Sequence, residues 1–184
     1  MSVQTRTQLQ TSAATITNET AAGANTASRV GGLFDDLADT ATLDRERGFA
    51  NLYLDTDTAF TPTQGQRVKL TSAMKSGVLS TYNFSRTTNS LTYTGTTGAT
   101  LRIAASMVLA QGNNHQIKVY IAKNGTTIDQ SMTEITISHS DGHAVFTETV
   151  LQGAVNDEFT IYINAVSDGG SIAISALSFT VHTL

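Results

Sequence analysis

The side chains that could do chemistry are few and scattered. His139-Ser140-Asp141-Gly142-His143 holds the one close histidine pair in the chain. Two imidazoles and a carboxylate on one loop can hold a metal ion, and copies of such a loop around a three-fold axis would complete a ligand set. The same residues also make an ordinary polar loop tip, turned by Asp141-Gly142. We take that second reading and expect no metal. His115 beside a turn and His182 near the end of the chain have no partner evident in sequence. Carboxylates pair at Asp55/Asp57 and Asp157/Glu158. Glycoside hydrolysis needs two carboxyl groups about 5–10 Å apart across a cleft, and these pairs read instead as turn and surface residues. There is no Gly-x-Ser-x-Gly elbow, phosphate-binding loop or dinucleotide fingerprint. We therefore assign no catalytic residue and no cofactor, and expect a protein that is not an enzyme. Of the tyrosines Tyr53, Tyr82, Tyr93, Tyr120 and Tyr162, we take Tyr120 and Tyr162 as candidate glycan contacts, because aromatic rings suit the apolar faces of sugars. Their plainer role is packing between strands or at a subunit interface.

Composition narrows the class. Of 184 residues 14% are charged and the formal net charge is −4, without a basic block, so no nucleic-acid partner is expected. No apolar run is long enough to span a bilayer, so neither is a membrane. The polar start Met1-Ser2-Val3-Gln4-Thr5-Arg6 does not read as a secretory leader, and the Asn-x-Ser/Thr triplets at Asn18, Asn83 and Asn124 then read as chance matches. Cysteine is absent, which excludes disulfides and thiolate chemistry.

Two parts would position these residues. Residues 1–48 form the first. Residues 1–19 are polar with isolated apolar positions and read as extended. Val30, Leu33, Phe34, Leu37 and Ala41 then recur at helical spacing, with Asp35, Asp36 and Asp39 opposite and Gly48 as a stop. An apolar helical stripe must be buried somewhere. It either packs on its own domain or docks, and we assign Val30, Leu33, Phe34 and Leu37 to docking or oligomerisation.

Residues 49–184 form the second part, a β region. Leu101, Ile103, Ala105, Met107 and Leu109 alternate with Arg102, Ala104, Ser106 and Val108, the period of a strand buried on one face. Gln111-Gly112-Asn113-Asn114 turns the chain into Ile117, Val119 and Ile121, with Tyr120 opposite, and we read the two strands as a hairpin. Asn124-Gly125 is the strongest short hairpin signal. Further strands are expected at Asn51–Leu54, Arg67–Leu70, Tyr82–Phe84, Leu91–Gly95, Ile135–Ile137, Val145–Leu151 and Phe159–Ala165. The last strand switches phase between Ile172/Ile174 and Leu177/Phe179/Val181, which requires a bulge or burial on both sides. Eight to ten short strands between Gly/Asn/Asp turns predict an all-β antiparallel jelly-roll sandwich.

The β region resembles the C1q/TNF-like jelly roll found in bacteriophage structural proteins. The resemblance rests on Leu91-Thr92-Tyr93-Thr94-Gly95, Leu101–Ser106, the Asn124-Gly125-Thr126 turn, Leu151–Phe159 and Leu177–Val181. Leu101 stands where the family has an aromatic residue, and Asn156-Asp157 where it has Gly-Asp. Separately, Ile16–Thr20 and Asn25–Asp39 resemble a segment near the start of phage head and tail fibre proteins, associated with attachment to the particle. Together the resemblances imply a homotrimeric fibre or decoration protein of a virion, attached by its N-terminus to capsid, collar or tail proteins. The alternative is an adhesin head that binds a host surface glycan. Apolar positions on both faces of the last strands, together with low surface charge, are the physical motive for a trimer.

Overall fold

The computed structural model describes residues 48–80, 83–95, 97–110, 115–138, 142–167 and 170–184, together with Thr11, Ala14, Gly32 and Phe34. The chain divides into Met1–Arg47 and Gly48–Leu184. In the first unit those four residues are helical. Thr11 and Ala14 thus lie in helix within the stretch that reads as extended, where Ala13 and Ala14 favour helix. Phe34 is exposed (64%), while Val30, Leu33 and Leu37 lie outside the described residues.

Among its described residues the second unit has β-strands and one 3-10 turn, Asp129–Ser131, as its regular structure. Its described strands are β1 Phe49–Leu54, β2 Thr58–Phe60, β3 Val68–Lys69, β4 Lys75–Leu79, β5 Phe84–Arg86, β6 Leu91–Tyr93, β7 Ala99–Ala110, β8 His115–Lys123, β9 Thr126–Thr127, β10 Thr133–Ile137, β11 His143–Gly153, β12 Glu158–Ala165 and β13 Ile172–Thr183. They form two antiparallel sheets. The first has the order β11-β7-β13-β1-β4, with β2 also on β13. The second runs β10-β8-β12-β6-β5, with β3 on β12 and β9 on β8. Successive long strands alternate between sheets, the mark of a jelly roll.

This connectivity corrects the hairpin expected between β7 and β8. The two strands lie in different sheets: β7 pairs with β11 and β13, and β8 with β10 and β12. Alternation in each strand is compatible with either arrangement. Crossing between sheets lets both apolar faces point into one core, Leu101, Ile103, Met107 and Leu109 from one side and Ile117, Val119 and Ile121 from the other. Phe159, Ile161 and Ile163 of β12 and Leu52 of β1 complete its centre. Each such side chain contributes about 1.5–3 kcal/mol on burial.

β2 and β4 were not expected from sequence. β4 lacks apolar alternation, and Gly77 sits in it because the Asn51 side chain of β1 occupies the space a Cβ would need. The phase switch in the last strand is resolved as a bulge. Ile174 faces Leu109 and Ala176 faces Val108, so Ser175 has no opposite residue on β7. The extra residue turns the strand by one side-chain position, and Ile172, Ile174, Leu177, Phe179 and Val181 all point inward. Deleting Ser175 should therefore drive Ile172 and Ile174 to the opposite face. We expect loss of a cooperative urea transition, whereas Ser175→Ala should leave the midpoint within about 0.5 kcal/mol.

Candidate functional site

The residues singled out for chemistry are not brought together. Asp157 and Glu158 are neighbours on an extended chain and point to opposite sides. Asp157 is buried, while Glu158 pairs with Lys69 at 3.2 Å. Asp55 is engaged by Lys75 at 2.8 Å, whose hydrogen bond holds the carboxyl below the usual aspartate range. His115 is buried and His143 half-buried, and residues 139–141 lie outside the described set. No group of three metal-ligating side chains occurs among the described residues. Tyr120 is 4% exposed, with the Arg67 guanidinium 4.5 Å from its ring centroid, so that face is already occupied. Arg67 also reaches Asp129 at 2.8 Å and Thr127 Oγ1. Tyr162, opposite Tyr120 in the ladder, is half-buried.

Asp157 instead organises one end of the sandwich. Its carboxylate accepts hydrogen bonds from the Ala154 N–H (2.6 Å) and the Asn124 amide (2.7 Å), and it pairs with Lys123 (2.6 Å). Asn124 in turn accepts the Glu158 N–H at 2.8 Å. The N–H of Asn156 donates to the Tyr93 carbonyl at 2.7 Å, and the Tyr93 N–H to that of Asp157 at 3.0 Å. Three separate stretches of the family resemblance thus meet at this corner. Asn124 and Gly125 have φ of 50° and 79°, as a two-residue hairpin turn requires. Asn156 has φ of 70°, a left-handed conformation that asparagine tolerates better than other residues with a side chain.

The two outward faces differ in chemistry. The second sheet presents charge: Lys69–Glu158, Lys118–Glu134 at 3.4 Å, and Arg67–Asp129. The first sheet presents small and apolar side chains in registered rows across β11, β7, β13 and β1. One row is Val150, Arg102, His182, Phe49. The next is Glu148, Ala104, Thr180, Asn51. A third is Phe146, Ser106, Ser178, Tyr53, and Ala144, Val108 and Ala176 follow. Arg102 and Glu148 are the charged residues in these rows, and they neutralise each other at 2.6 Å. Phe146 and Val150 are 53% and 56% exposed. The small residues of β7 and β13 form a floor, and larger side chains on β11 and β1 stand at its sides. Where the Ser175 bulge brings Ala176 to the surface, a hollow of about 350 Å³ opens between Val108, Ala144, Phe146 and Ser178. Sequence reasoning placed Phe146 and Val150 on one face of a strand but missed this surface, because the rows join residues far apart in the chain.

No protein-family model matches the chain, and no curated protein matches it. Among solved structures it is similar to murine APRIL at pH 5.0, with a TM-score of 0.51, 9% identity, and coverage of 74% of this chain and 99% of that one. It is also similar to the globular domain of zebrafish complement 1qA protein (TM-score 0.49, 12% identity, 76% and 98% coverage) and to the PRD1 vertex protein P5 (0.49, 8%, 75% and 97%). The APRIL likeness, with the sheet order, establishes a C1q/TNF-like jelly roll and no more than the fold.

Burial, the largest effect on Asp157, pushes its pKa up. Lys123, the Ala154 N–H and Asn124 together outweigh it and leave the pKa lowered. A carboxylate depressed in the folded state stabilises fully above the unfolded value, and loses that contribution as pH falls through the folded one. Asp157→Asn should cost about 1–3 kcal/mol at pH 6. In urea titrations the gap between variant and parent should narrow below about pH 4.

Proposed function

We propose that this chain is a non-enzymatic structural protein of a phage virion, a homotrimeric fibre or decoration protein. Its N-terminal unit joins it to the particle and its β head projects. The observation that carries the trimer is the contrast between the two outward faces. A solvated sheet face carries charge, as the second sheet does. The first sheet confines its charge to the Arg102–Glu148 pair and, at the β1–β4 margin, the Lys75–Asp55 pair. Between them it presents a surface of small side chains that includes two half-exposed large apolar ones, a surface suited to burial against another protein. A second copy is the simplest partner. β11 lies at the open edge of that same sheet and carries Phe146 and Val150, and the hollow beside Ala176 is of a size to receive an apolar side chain. Edge-to-face contact of this kind is heterologous, and a heterologous contact whose rotation closes makes a ring. Three copies is the number that the C1q/TNF-like resemblance implies. Placement in a virion rests on the fibre-like stretches Ile16–Thr20 and Asn25–Asp39. The covered ring of Tyr120 favours this reading over a glycan-binding head.

Multi-angle light scattering at micromolar concentration should give a trimer. Phe146→Glu combined with Val150→Glu should give a folded monomer, since removing central apolar contacts costs about 2 kcal/mol or more each at an interface. A monomeric parent chain overturns the trimer. Removing residues 1–47 keeps Gly48, which exchanges hydrogen bonds with Thr183. The shortened protein should fold and fail to enter particles. Normal incorporation overturns the attachment role.

A further inference from the structure

His182 lies on β13, the central strand of the sheet face read above as the contact between copies, in a row toward one end of it, and the inference rests on that reading. It occupies one row with Val150, Arg102 and Phe49. On β1, Phe49 lies against its ring, centroids 4.5 Å apart and planes at 59°. The other outward residues of β1, Asn51 and Tyr53, bring no carboxylate. On β7 its registered neighbour is Arg102, a permanent cation. The nearby carboxylate of these rows, Glu148 on β11, is engaged by Arg102 through two hydrogen bonds, of 2.6 and 3.1 Å. Among the described side chains of these rows the imidazole therefore has an aromatic ring on one side, a cation on the other and no free carboxylate. It is half-buried in the single chain. Closing a second copy over the row removes water that would otherwise solvate a charge there.

We propose that His182 makes assembly through this face acid-labile: the neutral imidazole is accommodated in the closed contact and the imidazolium is not. The direction is set already in the single chain. Burial first, and Arg102 second, hold the His182 pKa below the ordinary histidine value. Such a group lends its full stability above the unfolded value, about 6.5, and withdraws it as pH falls from there through the folded value. Each copy in a ring presents its own His182, so the effects of protonation accumulate. A β head built this way would be assembled in neutral surroundings and loosened in mildly acidic ones.

The test is sedimentation equilibrium of the full chain at pH 7.5 and 5.5 at constant ionic strength. At pH 5.5 an ordinary glutamate such as Glu148 remains charged. The parent protein should be trimeric at pH 7.5, and the concentration at which half the chain is monomeric should rise about tenfold or more at pH 5.5, one pKa unit being tenfold. His182→Gln should be trimeric with the same midpoint at both values. Arg102→Gln removes the neighbouring cation and should show a smaller acid loss than the parent, which keeps the test intact if His182→Gln fails to fold. A parent trimer whose midpoint does not move overturns the switch and leaves the interface standing, as does an unchanged acid loss in both variants. A parent chain that is monomeric at pH 7.5 overturns the interface reading, and the switch with it.

Discussion

The pairing of β7 with β13, offset by one residue at Ser175, is the constraint on which the rest of this structure depends. These two twelve-residue strands form the middle of the first sheet. Their inward residues supply much of the core, including Leu101, Ile103, Phe179 and Val181. A strand has only two faces, so a twelve-residue strand whose apolar pattern changes phase cannot bury both halves without an extra residue. The bulge supplies it. It also brings Ala176 to the outer surface, where the hollow opens. One unpaired residue thus serves core continuity and shapes the opposite face.

The core and the outer faces obey different demands. Inside, alternation is strict because each inward side chain displaces water from its neighbours. Outside, the second sheet spreads paired charges, with Arg67 spanning Tyr120, Thr127 and Asp129. Across β11, β7 and β13 the first sheet keeps one charged pair, Arg102–Glu148, neutral within itself and otherwise presents mainly alanine, serine, threonine and exposed apolar residues, with a second pair, Lys75–Asp55, at its β1–β4 margin. Exposed ion pairs contribute little to monomer stability. Their distribution is therefore informative about solvation and partners rather than about folding.

The end of the sandwich around Asp157 shows how turn chemistry and burial are coupled. Asn124 and Asn156 both adopt positive φ, a strained conformation for a residue with a side chain. Asn124 answers to Asp157 and to the Glu158 N–H, so its side chain is held as firmly as its backbone. A buried carboxylate here links three turns and strands with charge-assisted hydrogen bonds. What reads in sequence as a turn carboxylate is the corner joint of the head.

Sequence by itself determined the fold class and the facing of β7, β8, β12 and the two halves of β13, while for β11 it grouped Phe146 and Val150 on one face without showing that this face points outward. Period-two alternation over β7, β12 and the two halves of β13 admits one buried face, and Asn124-Gly125 admits one tight turn. The phase switch at Ser175 was visible as a choice between a bulge and two-sided burial. What sequence left open was partnership. The same alternation in β7 and β8 serves a hairpin or a crossing between sheets, and only packing both apolar faces into one core selects the crossing. β2 and β4 were invisible because edge strands owe their order to the neighbour they pair with. The outward face of the first sheet was invisible for a related reason. Val150, Arg102, His182 and Phe49 form a row through register across four strands, and register between distant segments is written in the tertiary structure alone.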